Sequence, residues 1–305
     1  MSPQLDDAQQ GDVATVTDES QITSSVKLMS PQQLYELWER QPWSAHDIDL
    51  EQDKADWAAL SGEQRDEILW VMSLFFIGEE RVTTQFSGLV MAYEDEQEES
   101  FLTTQQVDEA RHMQFFDRYY REVFAFEDED IRARLARVRE HVTEPFVKLF
   151  DESLVQAGER LIADPSDRGS KVDFVTTYHM VIEGTLALTV QNFLTRYFEE
   201  KLEAFPGFVD GFGKISRDEH RHVAYGTWYL QRQAGDPAMA ERIQATLAEL
   251  LPVAAGVLAP PGYEVGDDYV FLGFTSQEQT EFAFTALSRR LKVIGVSLPG
   301  AAVAV

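Results

Sequence analysis

Two short segments of this chain repeat the same order of an aspartate, a glutamate and a histidine. Asp108–His112 reads DEARH and Asp218–His222 reads DEHRH, so each histidine follows a glutamate by three residues. Both segments lie in stretches with a helical pattern. Residues three apart on an α-helix share one face, and both side chains can reach one point. The repeat therefore predicts two helices that each present a Glu-x-x-His pair.

Two further segments carry a glutamate in the middle of an apolar helical stripe. The stripe around Glu79 contains Met72, Phe75, Phe76, Val82 and Phe86, and the stripe around Glu183 contains Thr176, Met180, Leu186, Ala187 and Val190. An unpaired buried carboxylate is costly, so it protonates or acquires a partner. An arginine, a backbone amide or a metal ion would each satisfy these two acids.

The pattern along the chain predicts an all-α fold with four long apolar helices at its core, because no segment shows the sustained alternation of a strand. Residues 1–27 are expected to form a flexible arm, and 28–305 a single helical domain. The first helix should begin at Ser30 and Pro31. The other expected helices cover about 64–93, 100–124, 127–162 with a bend at Pro145, 172–202, 208–233, 237–251 and 276–293. Loops are expected at 164–170 and 252–275.

Composition excludes several functional classes. The formal charge is −27 at pH 7, which argues against nucleic acid and anionic membranes as partners, because both require basic side chains. The chain has no cysteine, which excludes disulfides, thiolate metal sites and thiol nucleophiles. No apolar run is long enough for a membrane span, and residues 1–27 lack the basic and apolar pattern of a secretory signal. We expect a soluble cytoplasmic protein.

The four acidic features together match one known arrangement. Two helices that each supply Glu-x-x-His and two others that each supply one Glu form the ligand set of a ferritin-like dinuclear carboxylate site. Four carboxylates balance most of the charge of two divalent cations, and two neutral imidazoles complete the set. The predicted ligands are Glu79, Glu109, His112, Glu183, Glu219 and His222.

An aspartate precedes the glutamate in both repeats. A carboxylate near a metal-bound imidazole usually accepts the second ring N–H and fixes the tautomer. We assign this role to Asp218, acting on the histidine of the opposite helix, whereas Asp108 fits either the same role or a solvent-facing charge. Glu183 also lies farther from the FPGF turn (205–208) than Glu219 does. Residues 195–205 should therefore contain a break or a short separate helix.

With these residues in place, the span from about 35 to 235 resembles the small subunit of class I ribonucleotide reductase. The segment QPWSAHDIDL (41–50) is similar to the tryptophan-containing segment before that family's first ligand helix. Trp43, Asp218 and His112 match the residues of the family's electron-transfer path. A core or anchoring role for Trp43 remains an equal alternative.

The resemblance is closer to one branch, the ribonucleotide-reductase small-subunit-like ligand-binding oxidases. The segments GEERVT (78–83), FLTTQQVDEARHMQFF (101–116) and YHMVIEGTLALT (178–189) look like the ligand-helix motifs of this branch. Phe116 occupies the position of the radical-forming tyrosine of many reductase subunits, so no stable tyrosyl radical is expected there. Val82 and Tyr178 match the branch's characteristic valine and tyrosine. The chain ends SLPGAAVAV, unlike the docking tail of the reductase subunit.

This resemblance implies an O₂-activating Mn/Fe oxidase that binds a long-chain fatty acid and forms a homodimer. Two Fe or two Mn ions also suit the ligand types. Glu79 and His112 would hold one metal, Glu183 and His222 the other, and Glu109 and Glu219 would bridge them. The alternatives are a reductase subunit without a tyrosyl radical, or iron storage in a ferritin-type cage.

The resemblance also implies an ether crosslink between Val82 and Tyr178. Val82 lies one turn after Glu79 and faces the same side of its helix. Tyr178, five residues before Glu183, would point away on a regular α-helix. It reaches the metals only if the helix widens, so we predict a π-turn between Tyr178 and Glu183. The alternative is a hydrogen-bonded core tyrosine.

Overall fold

The computed structural model describes residues 26–298, and over this range nearly all regular structure is helical. In chain order, the elements are α1 (Pro31–Glu39), α2 (Glu51–Ala59), α3 (Gly62–Met91), α4 (Glu96–Glu122), α5 (Ile131–Val138), a 3-10 turn (Arg139–His141), α6 (Glu144–Phe146), a π-helical segment (Val147–Ser153), α7 (Leu154–Ala163), α8 (Arg168–Val175), a π-helical segment (Thr176–Ala187), α9 (Leu188–Arg196), a π-helical segment (Tyr197–Leu202), α10 (Pro206–Gln233), α11 (Pro237–Leu258), β1 (Val270–Phe271), β2 (Phe274–Thr275) and α12 (Ser276–Ile294).

Four long helical stretches form the core. They are α3, α4, α10 and the stretch 168–202, which we call the interrupted helix because it alternates between α- and π-helical turns. Helix α3 packs along α4, and α10 packs against both α4 and the interrupted helix, while α11 covers the interrupted helix from outside. This arrangement confirms the all-α, ferritin-like four-helix core with additional helices.

Local sequence signals explain where several helices begin. Ser30 caps α1 through the backbone N–H of Gln33, and Pro31 occupies the first turn, as predicted. Ser61 caps α3 in the same way, with the Gln64 side chain returning to the cap backbone. These reciprocal bonds satisfy backbone donors that have no partner within the helix.

The break predicted within 195–205 is present. The interrupted helix ends in the π-helical segment Tyr197–Leu202, and the chain then reverses through Glu203 and Phe205, both with positive φ. The buried carboxylate of Asp53 accepts hydrogen bonds from the backbone N–H groups of the first turn of α10, at 2.7–2.8 Å. An anion at a helix N-terminus is favourable, so Asp53 anchors the start of α10.

The single bent helix predicted for 127–162 is wrong. Helix α5 ends at Val138, a 3-10 turn follows, and the backbone is extended at Val142. A new helix begins at Glu144, with Pro145 in its first turn. Proline is favourable there because its missing N–H would have no helical partner. Pro145 therefore starts a helix and does not bend one.

Four other features differ from expectation. The loop predicted for 164–170 is shorter, because Asp167 caps α8 at Arg168. Helix α11 continues through Pro252 to Leu258, because its buried apolar side packs on the interrupted helix. The remaining connection contains a two-stranded antiparallel hairpin (270–275), where no strand was expected. Helix α2 was also not predicted.

Most of the predicted N-terminal arm lies outside the described residues, as do the last seven residues. Val26 and Lys27 have no regular structure, although the Val26 carbonyl accepts a hydrogen bond from Gln231. Among residues 26–298, no helix has the length and apolar character needed to cross a bilayer.

Close packing between α10 and the interrupted helix generates a stability prediction. A Cβ added at Gly226 would lie 2.2 Å from the Cβ of His179, so Gly226→Ala must push the two helices apart. Overpacking of this kind costs ~1–3 kcal/mol in the free energy of unfolding. Urea denaturation of the metal-free protein measures this loss.

Gly213 provides the matched control on the same helix. It is exposed, and an added Cβ there meets no atom within 4 Å. Gly213→Ala should raise the free energy of unfolding by ~0.5–1 kcal/mol, because alanine favours a helix interior. Equal stability of the two variants would contradict the proposed close approach.

Candidate metal centre

All six predicted ligands come together at the centre of the helical core. They form two overlapping groups in which one ligand atom per residue lies within 4.8 Å of the others. The first group is Glu79, Glu109, His112 and Glu219, and the second is Glu109, Glu183, Glu219 and His222. Glu109 and Glu219 belong to both groups, so each of these two carboxylates faces both sets of donor atoms. We call the six residues the carboxylate cluster.

The helices aim the two histidines into the cluster in the same way. Nδ1 of His112 lies 3.6 Å from Glu79 and 3.5 Å from Glu219. Nδ1 of His222 lies 3.0 Å from Glu109 and 3.1 Å from Glu183. Each imidazole therefore offers Nδ1 to its own group of carboxylates and keeps Nε2 for a partner outside.

Burial and mutual charge shift the pKa values of the cluster strongly. Burial raises the pKa of Glu79 to about 8 and raises that of Glu183 well above its ordinary value. Burial acts to lower the pKa values of His112 and His222, but the facing carboxylates outweigh it and raise both well above the usual value. Burial also acts to raise the pKa of Glu109, yet the two histidines hold it well below its ordinary range. Without metal, the cluster therefore retains protons.

Several polar atoms of the cluster are buried without a hydrogen-bond partner. They are Nδ1 of His112, Oε2 of Glu183 and Oε2 of Glu219. Buried polar groups are otherwise almost always satisfied, and an uncompensated one is costly. Metal ions would satisfy these atoms, and the oxygen and nitrogen donors suit Mn and Fe. The residues present thus fit a dinuclear metal site.

The outward nitrogens of both histidines contact aspartates, each on the opposite helix. His112 Nε2 lies 3.3 Å from Asp218, and His222 Nε2 lies 3.3 Å from Asp108. Asp218 therefore lies where we expected it. Asp108 takes the equivalent position and is not a solvent-facing charge, since its side chain is 1% exposed.

Two arginines join these aspartates into one buried network that the sequence reasoning missed. Arg221 donates to Asp218 at 2.6 Å and to Asp108 at 2.9 Å. Arg111 donates to Asp108 at 2.8 Å and lies 3.7 Å from Asp218. The signal was present, because both repeats read D-E-x-R-H and so place an arginine three residues after each aspartate.

The π-turn predicted beside Tyr178 is present. Residues Thr176–Ala187 are π-helical, and a π-helix bonds residues five apart, so Tyr178 and Glu183 share one face. The Tyr178 hydroxyl donates to Glu109 at 2.5 Å. Gln105, also missed from the sequence, donates to the Tyr178 oxygen at 3.3 Å and approaches His179 at 3.2 Å. Burial, followed by the charge of Glu109, raises the pKa of Tyr178 well above its usual value.

An apolar cavity adjoins the cluster, and the centres of water-sized molecules can occupy about 80 Å³ of it. Glu79, Glu183, Val82 and Tyr178 line its inner end. The rest of the wall comes from α3, α6, the interrupted helix, α11 and the hairpin, through side chains that include Leu74, Phe146, Ile182, Val190, Val257 and Leu272. A concave apolar space with few polar groups is typical of a small-molecule site.

Two other predicted residues lie next to the cluster. The Trp43 indole N–H donates to Asp218 at 2.7 Å, and its ring lies 6.3 Å from that of His112. Trp43 therefore contacts the network and is not only a core residue. Phe116 is fully buried and stacks on Phe75 at 5.5 Å, so an aromatic ring without a hydroxyl occupies that position.

Comparison with known proteins identifies the family to which the chain belongs. The family model described as ribonucleotide reductase, small chain, matches residues 25–255. The chain belongs to this family. The family match covers all six residues of the carboxylate cluster, and it ends within α11, before the hairpin and α12.

Solved structures narrow the resemblance within the family. An R2-like ligand-binding oxidase with an aerobically reconstituted Mn/Fe cofactor is 26% identical, with a TM-score of 0.73 over 86% of this chain and 92% of that chain. An R2-like ligand-binding oxidase from Sulfolobus acidocaldarius is 25% identical, with a TM-score of 0.72 over 88% of this chain and 92% of that chain. These relatives are oxidases of the branch that the sequence motifs indicated.

The raised pKa values predict that metal uptake depends on pH. Metals displace the protons held by Glu79, Glu183 and the two histidines, so binding should tighten as the pH rises from about 6 to about 8. Release of one proton per metal makes binding ~10-fold tighter per pH unit. Anaerobic calorimetry of Mn²⁺ binding in buffers of different ionisation enthalpy counts the protons.

Adjacent acids provide the control for this measurement. Glu79→Gln should lower the number of metals bound per chain, because it removes a ligand of one group. Glu80→Gln, which changes a partly exposed neighbour outside the cluster, should leave both the stoichiometry and the proton count unchanged. Proton-independent binding by the unaltered chain would contradict the assignment.

Proposed function

We propose that this chain is an O₂-activating oxidase with a dinuclear Mn/Fe centre held by the carboxylate cluster. The observation that carries the proposal is the pair of overlapping ligand groups with unpartnered donor atoms inside the protein core. Glu79 and His112 would hold one metal, Glu183 and His222 would hold the other, and Glu109 and Glu219 would bridge them. The bound metals would supply the redox chemistry with O₂.

The choice of Mn/Fe over two Fe rests on the relatives, since the donors alone suit several divalent ions. Structural neighbours are described with a reconstituted Mn/Fe cofactor. In this chain, the aspartates keep each imidazole in the tautomer that presents Nδ1 to a metal. The apolar walls of the cavity limit the access of water to the centre.

We propose a long-chain fatty acid as the bound ligand. Its carboxylate would occupy open metal positions at the inner end of the cavity, and its chain would follow the apolar wall towards α11 and the hairpin. Burial of methylene groups supplies about 0.8 kcal/mol each, so a long chain suits a cavity with this lining. The oxidase would act as a homodimer, as its resemblance to the family implies.

We further propose an ether bond between Val82 Cβ and the Tyr178 oxygen. Both side chains line the same end of the cavity, and the Tyr178 hydroxyl already points at Glu109. Forming the bond removes one hydrogen from Val82 Cβ and one from the Tyr178 hydroxyl, as two protons and two electrons. O₂ would accept these two electrons and two more from the divalent metals, and two protons from solvent would join the two released protons to give two waters. Glu109 is placed to receive the phenol proton.

The family match favours one second candidate. A ribonucleotide reductase small chain could store its oxidant on the metals, because Phe116 offers no phenol for a stable radical. This candidate shares the carboxylate cluster and differs in its partner, the large reductase subunit. It does not account for the Val82 and Tyr178 pair at the end of the cavity.

Metal analysis tests the proposed function directly. After anaerobic loading with Mn²⁺ and Fe²⁺, elemental analysis should find two metals per chain. Anomalous scattering at the Mn and Fe edges should place both within the carboxylate cluster. Protein that binds no metal under these conditions would end the proposal, including its reductase alternative.

Two assays separate the remaining alternatives. Nucleotide reduction by this chain together with the host's large reductase subunit would favour the hypothesis of a reductase small chain. Size-exclusion chromatography should show a dimer, whereas a large cage would indicate iron storage.

Peptide mapping tests the crosslink. After aerobic Mn/Fe loading, the peptides that contain Val82 and Tyr178 should be joined, with a mass two hydrogens below their sum. The variant Tyr178→Phe should give separate peptides while retaining the metal ligands. Separate, unmodified peptides from fully metallated, O₂-exposed protein would contradict the crosslink and would not affect the metal assignment.

A further inference from the structure

The aspartate–arginine network connects the carboxylate cluster to two tryptophans, only one of which has a counterpart in the expected electron-transfer path. That path is Trp43, Asp218 and His112. Its contacts are 2.7 Å from the Trp43 indole nitrogen to Asp218 Oδ2 and 3.3 Å from the same oxygen to His112 Nε2. These hydrogen bonds lead from the Trp43 ring to the histidine of the first metal group.

The second tryptophan forms an equivalent series of contacts on the other group. The Trp38 indole N–H donates to Asp108 Oδ1 at 2.9 Å, and Asp108 Oδ2 lies 3.3 Å from His222 Nε2. His222 in turn presents Nδ1 to Glu183. The two series use the same types of residue in the same order, and each ends at a different metal group.

Both tryptophans lie in one short part of the chain near the surface. Trp38 is near the end of α1, Trp43 follows five residues later, and both side chains are partly exposed. Tyr35 stacks beside Trp38 with a ring separation of 6.2 Å. The Arg111 guanidinium lies 5.3 Å from the centre of the Trp43 ring. An electron donor bound at this surface would be close to both indoles.

We propose that Trp38, Asp108 and His222 form a second electron-entry route, so that each metal has its own route from one face of the protein. The donor would be a one-electron reductant, such as a reduced flavin or an iron–sulphur protein. Trp38 would pass one electron inward as its indole is oxidised, and the donor would then reduce the indole again. One electron through each route returns both metals from the trivalent to the divalent state.

The proposal requires the indole to be a redox group and not only a hydrogen-bond donor. Asp108 would fix the His222 ring whether or not Trp38 carries electrons, so removing the indole alone does not separate the two roles. Replacement by tyrosine retains both a hydrogen-bond donor and an oxidisable ring. Replacement by histidine retains a donor on a ring that is much harder to oxidise, and phenylalanine has neither property.

The test uses the full chain, loaded with Mn and Fe and exposed to O₂, and rests on the proposed function. Stopped-flow mixing with reduced methyl viologen follows the optical and EPR signals of the oxidised metals. Trp38→Phe and Trp38→His should slow one phase of metal reduction by about 10- to 100-fold, similar to the loss of activity when partners of ligating residues are changed. Trp38→Tyr should restore much of the rate.

Two other tryptophan variants serve as controls. Trp43→Phe should slow the other phase, and Trp57→Phe, on α2 and packed against Phe124, should change neither. Unaltered reduction in Trp38→Phe would overturn the second route. An unaltered rate of metal reduction in Trp38→His would also overturn it, because Trp38 would then only position Asp108. If the Phe variant loses metal, the Tyr and His variants decide by the same comparison.

Failure of the underlying function gives a different result. In that case the unaltered chain would show no oxidised metal signal after O₂ exposure, before any reductant is added. A transient indole-radical absorption in the unaltered chain, lost in part with Trp38→Phe, provides a readout that is independent of turnover.

Discussion

The burial of four carboxylates and two imidazoles at one point in an apolar bundle is the constraint on which the rest of the structure depends. Each of these six residues is at most 6% exposed. Isolated charges at such a position would be prohibitively costly, so the acids, the imidazoles and their protons must compensate one another or bind cations. The four core helices hold this cluster in register, and the surrounding apolar side chains keep it dry.

A second group of charged side chains surrounds the cluster, and its positive and negative charges also compensate one another. Asp108 and Asp218 bind the outer nitrogens of the histidines, and Arg111 and Arg221 neutralise both aspartates. The network has an approximate internal symmetry that follows from the repeated D-E-x-R-H segment. Both metal groups therefore receive the same outer environment, which gives the inferred second electron route its structural basis.

The interrupted helix contributes side chains to both the metal centre and the cavity. A regular α-helix through this region would turn Tyr178 away from Glu183, and the π-helical segment brings the two onto one face. The same segment contributes Ile182 and Leu186 to the apolar wall. Local widening of one helix thus places an oxidisable phenol and an apolar cavity on the same side of the cluster.

Spacing and residue type along the chain were sufficient to predict the helices of the core and the six residues of the cluster. Helical periodicity shows which side chains share a face. An acid within an apolar stripe indicates a buried carboxylate that needs a partner, such as a metal ion. The start of α1, the break near 195–205 and, with help from the family motifs, the π-turn also followed from spacing. These features depend on residues close together in the chain, where geometry is nearly fixed.

The contacts between segments that are far apart in the chain could not be predicted in this way. The approach of Trp38 to Asp108 and the bridging of both aspartates by Arg221 depend on how α1, α4 and α10 are rotated about one another. The outer wall of the cavity, with Val257 and Leu272, comes from segments beyond the family match. Helical periodicity fixes a face but not its neighbour, because the pairing of faces is settled by packing across the whole core.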